Sequence, residues 1–113
     1  MKFLLSFFFS FILVILFSLQ TAFSQDSTVL ESGEKVFSAN CAACHAGGNN
    51  VIAPEKTLKI DALEDNKKDN IDAIVYQVTN GNNAMPAFGD RLSEDEIKYV
   101  ANYVLNQAKT NSW

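Results

Sequence analysis

Cys41-Ala42-Ala43-Cys44-His45 is the stretch from which the fold and chemistry of this 113-residue chain follow; it holds both cysteines and the single histidine. Two thiols three positions apart on a helical turn face the same way, so both can add to the vinyl groups on one edge of a porphyrin. The next imidazole can then ligate the iron, and Cys-x-x-Cys-His is the attachment motif for haem c. The motif predicts one covalent haem on Cys41 and Cys44, with His45 as an axial iron ligand.

Two other uses of paired cysteines fit less well. A zinc site takes four protein ligands, or three and a water, mainly from Cys and His, and the chain has no further Cys or His beyond these three. A disulfide or a redox dithiol could use Cys-x-x-Cys alone, but the dithiol motif belongs beside a βαβ pattern, and no such pattern is present.

Met85 is the candidate for the second axial ligand, because no second histidine exists and the other methionine is Met1. Pro86 holds its predecessor in an extended conformation, which suits a loop that directs one side chain inward. The alternative role for a lone methionine is filling a gap in the core. A thioether favours Fe(II) and raises the reduction potential. With two protein ligands, electron transfer is favoured over oxygen binding or peroxidase chemistry.

The first 24 residues read as a secretory signal peptide. Residues 1–19 are almost continuously apolar with one charge, Lys2, and Ala22-Phe23-Ser24 places small residues at positions −3 and −1. The predicted division is a signal peptide, 1–24, and a haem-binding domain, 25–113, with no permanent membrane anchor after cleavage. The alternative is a retained anchor, since residues 3–19 reach the short limit of a membrane span.

Without this leader the chain carries 13 acidic and 8 basic side chains, a net charge of −5. This balance argues against nucleic-acid binding, which needs a basic stripe, and predicts a partner surface with complementary positive charge. The domain keeps only Phe37 and Phe88 as phenylalanines. Because so small a domain buries a limited core, we expect the haem to complete that core and the haem-free form to be largely unfolded.

The remaining pattern predicts an all-α fold. A helix over 26–40, opened by a Thr28–Glu31 capping box, leads into the motif, and Gly33 within it indicates close approach by another element. A weak helix is predicted at 61–66. A stronger one over 70–81 has Asn70 as its cap and Gly81 at the αL position. The last helix opens at Ser93 with a second capping box to Glu96, and residues 46–50 and 82–92 form loops.

Longer stretches resemble the class I c-type cytochromes, and more narrowly the cytochrome c6 family of algae and cyanobacteria. The specific stretches are the run 33–50 and the Met85-Pro86-Ala87-Phe88 segment. The resemblance covers nearly all of the mature domain, over residues 33–50, 76–78, 83–89, 91–92, 101–105 and Trp113.

The resemblance implies a class I fold of about four helices around one covalent haem. It implies an electron carrier, not an enzyme, that takes single electrons from the cytochrome b6-f complex to photosystem I in the thylakoid lumen of a plastid or chloroplast. It implies that Cys41 and Cys44 bind haem, and that His45 and Met85 ligate iron. Gln77 would line the haem pocket, where its amide would tune the potential; the alternative is an exposed polar side chain.

The same resemblance implies that Gly33 and Phe37 pack against the last helix near Val100 and Tyr103. It places Arg91 near the docking edge, although an ordinary surface arginine fits as well. Ala53 and Asp90 depart from the family pattern near that surface.

Three readings of function stay open from sequence. The first is the photosynthetic carrier, in a plastid or a cyanobacterial thylakoid lumen. The second is a bacterial periplasmic cytochrome that donates to a terminal oxidase. The third is a peroxidase-like haem enzyme in which Met85 is displaced.

Overall fold

The computed structural model describes the backbone of residues 2–113 and the side chains of 2–15 and 27–113. Helices account for its regular structure, and residues 2–113 contain no β-strand beyond an isolated bridge between Asn82 and Met85. The all-α prediction is therefore confirmed. The elements are α1 Lys2–Asn40, α2 Ala42–His45, a 3₁₀ turn Ala46–Gly48, α3 Ile60–Asp65, α4 Ile71–Asn80 and α5 Glu94–Thr110.

The first helix ends where the sequence predicted, at Asn40, but it begins at Lys2 instead of near residue 26. Thr28 lies inside this helix, so the prediction that it opens a capping box is wrong for the full chain. A capping side chain satisfies N–H groups that lack a partner in the first turn, and at Thr28 the preceding helical turns already supply those partners. The predicted cleavage site, residues 22–24, lies outside the residues whose side chains are described.

The caps of the two later helices confirm the sequence analysis with one difference. Asn70 Oδ1 accepts a hydrogen bond from the Ala73 amide at 2.9 Å, and Ser93 and Glu96 form the reciprocal capping box at the start of α5. Gly81 ends α4 with φ +67° but ψ −177°. It therefore has the positive φ that was expected, while its ψ lies outside the αL region.

The core lies where α5 crosses α1 and α4. Val36 and Phe37 of α1, with Ile74 and Val78 of α4, pack around Val100 and its neighbours on α5. At the crossing of α1 and α5, a Cβ added to Gly33 would collide with the Tyr99 carbonyl oxygen and lie 2.6 Å from Tyr103 Cβ. The close approach predicted from Gly33 is confirmed, and so is its position near Tyr103.

Segment 41–70 contributes far fewer buried hydrophobic side chains than the rest of the domain. Of the buried hydrophobic side chains in the described residues, it contributes Leu63 alone. Leu63 lies on α3, which the sequence placed one residue later. This segment includes the motif and the loop after it, so most of its order comes from hydrogen bonds and not from a core of its own.

None of the helices, as far as their side chains are described, is long and apolar enough to cross a membrane. The apolar side chains at the start of α1 are exposed, from 88% at Phe3 to 47% at Ile15.

Candidate functional site

The two thiols lie on a single helical turn that directly follows α1. The amides of Cys44 and His45 donate to the Cys41 carbonyl at 3.2 and 2.9 Å, and the Cys41 amide donates to the Phe37 carbonyl at 2.8 Å. The turn is thus attached to the end of α1, which is itself fixed in the core through Phe37. Both cysteines are free thiols, and their spacing places them on one side of the turn.

The thiols differ in environment although both are half-buried. Burial raises the pKa of the Cys41 thiol from 9.0 to about 11, because a buried thiolate loses its hydration. Cys41 also packs against the hydrophobic core cluster. At neutral pH Cys41 is therefore a neutral, apolar thiol on the surface of the core.

The imidazole of His45 is oriented by one hydrogen bond. Its Nδ1 lies 2.9 Å from the backbone carbonyl oxygen of Asn49. Because a carbonyl oxygen only accepts, Nδ1 must carry the proton, and Nε2 keeps a free lone pair. This is the tautomer in which a histidine can ligate a metal through Nε2.

Two glycines turn the chain so that the Asn49 carbonyl reaches His45. Gly47 and Gly48 have φ values of +66° and +74°, which favour glycine because a side chain would meet the backbone. Contact with Trp113 is a second reason for a glycine at position 48. A Cβ added there would lie 2.5 Å from the indole Cγ of Trp113, so no other residue fits beneath this ring.

The loop after the turn is organised by Asn50, which the sequence analysis did not identify. Its Oδ1 accepts from the amides of Ile52 and Ala53 at 3.1 and 2.8 Å, and its Nδ2 donates to the Lys56 carbonyl at 3.0 Å. An Asn that bonds its own backbone two or three residues on is the usual signal of such a turn. That signal was present at Asn50, next to Gly47 and Gly48.

Met85 lies in the 82–92 loop, half-buried against the core. The Met85 amide donates to the Asn82 carbonyl at 2.9 Å, and the Asn82 amide donates to the Met85 carbonyl at 3.1 Å. A Cβ added to Gly81 would lie 2.5 Å from the Met85 carbonyl oxygen. The backbone of Met85 is thus fixed against the end of α4.

Gln77 approaches the sulfur of Met85. Its Nε2 donates to Met85 Sδ at 3.5 Å, and the contact is partly buried. A thioether sulfur has two lone pairs, so one stays available for a metal. Gln77 is half-buried, so it is not the exposed polar side chain of the alternative reading, and its place in a haem pocket stays a prediction.

Three residues were assigned by resemblance to the expected docking surface or its surroundings: Arg91, Asp90 and Ala53. Arg91 is exposed, with its guanidinium carbon 5.0 Å from the centroid of the Phe88 ring. Asp90 is exposed and Ala53 is half-buried. This places Arg91 over a core phenylalanine as a cation–π contact, while its part in docking stays a prediction.

The donors present fit a haem in number and kind. The imidazole of His45 offers a free Nε2, Met85 offers a thioether, and two thiols share one turn. Within the residues whose side chains are described, no group of three or more His, Cys, Asp or Glu could hold a metal ion. Cys41 and Met85 both pack on the hydrophobic core, which suits a flat apolar macrocycle that brings four nitrogen ligands of its own.

Comparison with known proteins places the chain in a family. A family model described as "Cytochrome C oxidase, cbb3-type, subunit III" matches residues 28–104. Cytochrome c6 of Porphyra purpurea is 66% identical over 90 residues, which are 80% of this chain and 79% of that protein. Cytochrome c6 of Bumilleriopsis filiformis is 69% identical over 80 residues, 71% of this chain and 93% of that protein.

A solved structure gives the same result. The crystal structure of cytochrome c6 from the diatom Phaeodactylum tricornutum superposes with a TM-score of 0.72 at 55% identity, covering 74% of this chain and 98% of that one. The fold is that of the class I c-type cytochromes. More narrowly, the chain belongs to the cytochrome c6 family. Members of this family are photosynthetic electron-transfer proteins, not enzymes, and their cofactor is covalently bound haem c.

Proposed function

We propose that Cys41 and Cys44 hold the haem through two thioether bonds, with His45 and Met85 as its axial ligands. The observation that carries this proposal is the hydrogen bond from His45 Nδ1 to the Asn49 carbonyl, which leaves Nε2 free to ligate. When bound, haem supplies reversible one-electron chemistry between Fe(III) and Fe(II).

The residues of this chain set the properties of that site. Asn49 holds the imidazole in one tautomer, and the Gln77 amide lies on the second ligand, Met85, at 3.5 Å. The thioether favours the reduced state and raises the reduction potential. Two side-chain ligands leave no coordination position for oxygen or peroxide, so the site suits outer-sphere electron transfer.

The physiological role that we propose is transfer of single electrons from the cytochrome b6-f complex to photosystem I, in the thylakoid lumen. The printed organisms of the relatives, two algae and a diatom, support this setting. The charge of the domain, −5 without the leader, supports docking to a surface with positive charge.

We further propose that residues 1–24 are a cleaved leader and that 25–113 is the working domain. The exposed apolar side chains between Phe3 and Ile15 form a larger apolar surface than a domain in water usually keeps. Mass spectrometry of the purified protein tests the cleavage position, and a mass that includes residues 1–24 would contradict it.

Two measurements test the function. The oxidised protein should show the weak far-red absorption band expected of a thioether bound to Fe(III). Its absence at neutral pH, together with turnover of peroxide, would favour a peroxidase-like enzyme.

Laser-flash kinetics should then show rapid reduction of photosystem I by the reduced protein. Slow reduction of photosystem I with fast oxidation by a terminal oxidase would favour the respiratory role instead.

A further inference from the structure

We propose that Trp113 is a positioning residue for His45, and that its indole fixes the loop that supplies the Asn49 carbonyl. This inference rests on the proposed ligation of iron by His45. The name His45 loop is used below for residues 46–58, which run from the turn after His45 to Leu58.

Trp113 contacts both ends of the His45 loop. Its ring lies on the backbone of Gly48, where an added Cβ would be 2.5 Å from the indole Cγ. Its Nε1 donates to the Leu58 carbonyl at 3.2 Å. The Leu58 amide in turn donates to the Gly48 carbonyl at 2.8 Å. One side chain therefore closes the loop at the point where its two ends meet.

The restraint at Gly48 reaches the imidazole through the next residue, Asn49. Gly48 is bonded directly to Asn49, whose carbonyl accepts from His45 Nδ1 at 2.9 Å. The Gly48–Asn49 peptide plane is rigid, and its carbonyl oxygen is held by the Leu58 amide at 2.8 Å. Only the φ and ψ angles of Asn49 lie between this plane and the Asn49 carbonyl, so a shift of Gly48 displaces the carbonyl that His45 contacts. Residues 46–58 contribute no fully buried hydrophobic side chain, and Leu58, at the end of the loop, packs partly buried against the core. Between Gly48 and Leu58 the loop therefore has little packing of its own to resist that shift.

The indole itself is held by the helix crossing. Its ring centroid lies 5.4 Å from that of Phe37 on α1 and 6.1 Å from that of Tyr103 on α5. Phe37 and Tyr103 are also 5.4 Å apart, so the three rings form one cluster at the crossing of α1 and α5. Trp113 thus connects the aromatic cluster at the crossing of α1 and α5 to the loop whose carbonyl accepts from His45 Nδ1.

The test measures that hydrogen bond in the reduced holoprotein. Exchange of the His45 Nδ1 proton with solvent is followed by NMR, and the global unfolding free energy by denaturant titration. The loss of global stability in Trp113→Ala predicts a certain increase in the exchange rate. The measured rate should exceed that predicted rate by about tenfold, because the loop then opens locally without global unfolding. Trp113→Phe keeps an aromatic ring but loses the Nε1 donor. Its exchange rate should exceed the rate explained by global stability by a smaller factor than in Trp113→Ala.

Ile97→Ala is the matched control, since Ile97 is a buried core residue at the opposite end of α5. It should raise the exchange rate only as far as its loss of stability explains. The proposal is overturned if Trp113→Ala shows no excess over this control. If Trp113→Ala yields no holoprotein, Trp113→Phe is compared with Ile97→Val, and again no excess overturns the proposal.

A separate measurement shows whether the assignment of His45 as an iron ligand is itself wrong. In the oxidised wild-type protein, a ligated His45 must give paramagnetically shifted imidazole protons. If those signals are absent, the ligation fails and this inference falls with it. If they are present but neither Trp113 variant shows excess exchange, the role of Trp113 alone is excluded.

Discussion

At the scale of single residues, the chemistry of the site depends on which atoms are already engaged. His45 donates from Nδ1 to Asn49, so only Nε2 can act as a ligand atom. Met85 accepts one hydrogen bond from Gln77 at its sulfur and keeps a second lone pair. Each proposed ligand therefore has one free electron pair and a neighbour that holds it in position, which is the usual arrangement around a metal in proteins.

Replacement of Met85 by alanine tests the sixth ligand. Met85→Ala should retain the covalent haem, lose the far-red band, and lower the midpoint potential by on the order of 0.1 V, a fraction of the range that axial ligands control. Redox titration measures the change. Leu92→Ala, another half-buried apolar residue of the same loop, is the control and should keep the band. An unchanged potential in Met85→Ala would remove Met85 from the iron.

Replacement of Gln77 tests the amide on the sulfur. The N–H group directs the positive end of its dipole at Met85, which disfavours the oxidised state. Gln77→Val should therefore lower the midpoint potential, by about 40 mV if the contact is worth about 1 kcal/mol for one electron. The control is Asn80→Ala on the same helix, whose amide donates to the Tyr76 carbonyl instead. Equal potentials for Gln77→Val and wild type would place Gln77 outside the electrostatics of the site.

At the scale of elements, α1 and α4 fix the two short segments that carry the proposed ligands, the helical turn 41–45 and the loop 82–92. The turn bearing Cys41, Cys44 and His45 continues from α1, and the Met85 loop is bonded to the last turn of α4. In that second loop the amides of Phe88 and Gly89 donate to the carbonyls of Val78 and Thr79 at 2.9 and 3.1 Å. The loop 82–92 is irregular, so its geometry depends on a few backbone positions.

Gly81 is a backbone position on which the placement of Met85 depends. Gly81→Ala adds a Cβ at a φ of +67° and within 2.5 Å of the Met85 carbonyl oxygen. It should reduce the unfolding free energy by about 1–3 kcal/mol and weaken the far-red band, as read by denaturant titration and absorbance. Gly47→Ala is the matched control. It has a φ of +66° but its Cβ would meet no atom nearer than 3.4 Å, so it should keep the band. A Gly81→Ala protein with a normal band and stability would contradict the fixed loop.

At the scale of the whole molecule, the buried core belongs mainly to α1, α4 and α5. Segment 41–70 adds only Leu63 to the buried hydrophobic side chains of the described residues. It is held by the hydrogen bonds of Asn50 and by the Trp113 contact, and we propose that two thioether bonds to the haem hold it in the holoprotein. The haem is therefore expected to be the second half of the core, which a domain this small needs.

The haem-free chain should consequently be largely unfolded. A protein with both Cys41→Ser and Cys44→Ser, which has no thiols for attachment, should show a much weaker helical signal by circular dichroism. It should also lack a cooperative thermal transition. The wild-type holoprotein, measured under the same conditions, is the reference. A cooperative, native-like signal from the haem-free chain would show that the three helices suffice alone.

The amino-acid sequence by itself determined the all-α class and the caps at Asn70 and Ser93, and it predicted the donor set. These depend on residue type and short spacing, which are local properties of the chain. Only the tertiary structure decided that Asn49 orients His45, that Gln77 reaches Met85, and that Trp113 bonds Leu58, 55 positions away. The start of α1 at Lys2 was likewise beyond the sequence analysis, because a helix start depends on whether the turn before it also folds. Contacts between residues distant along the chain leave no local pattern, so they become visible only once the helices have packed.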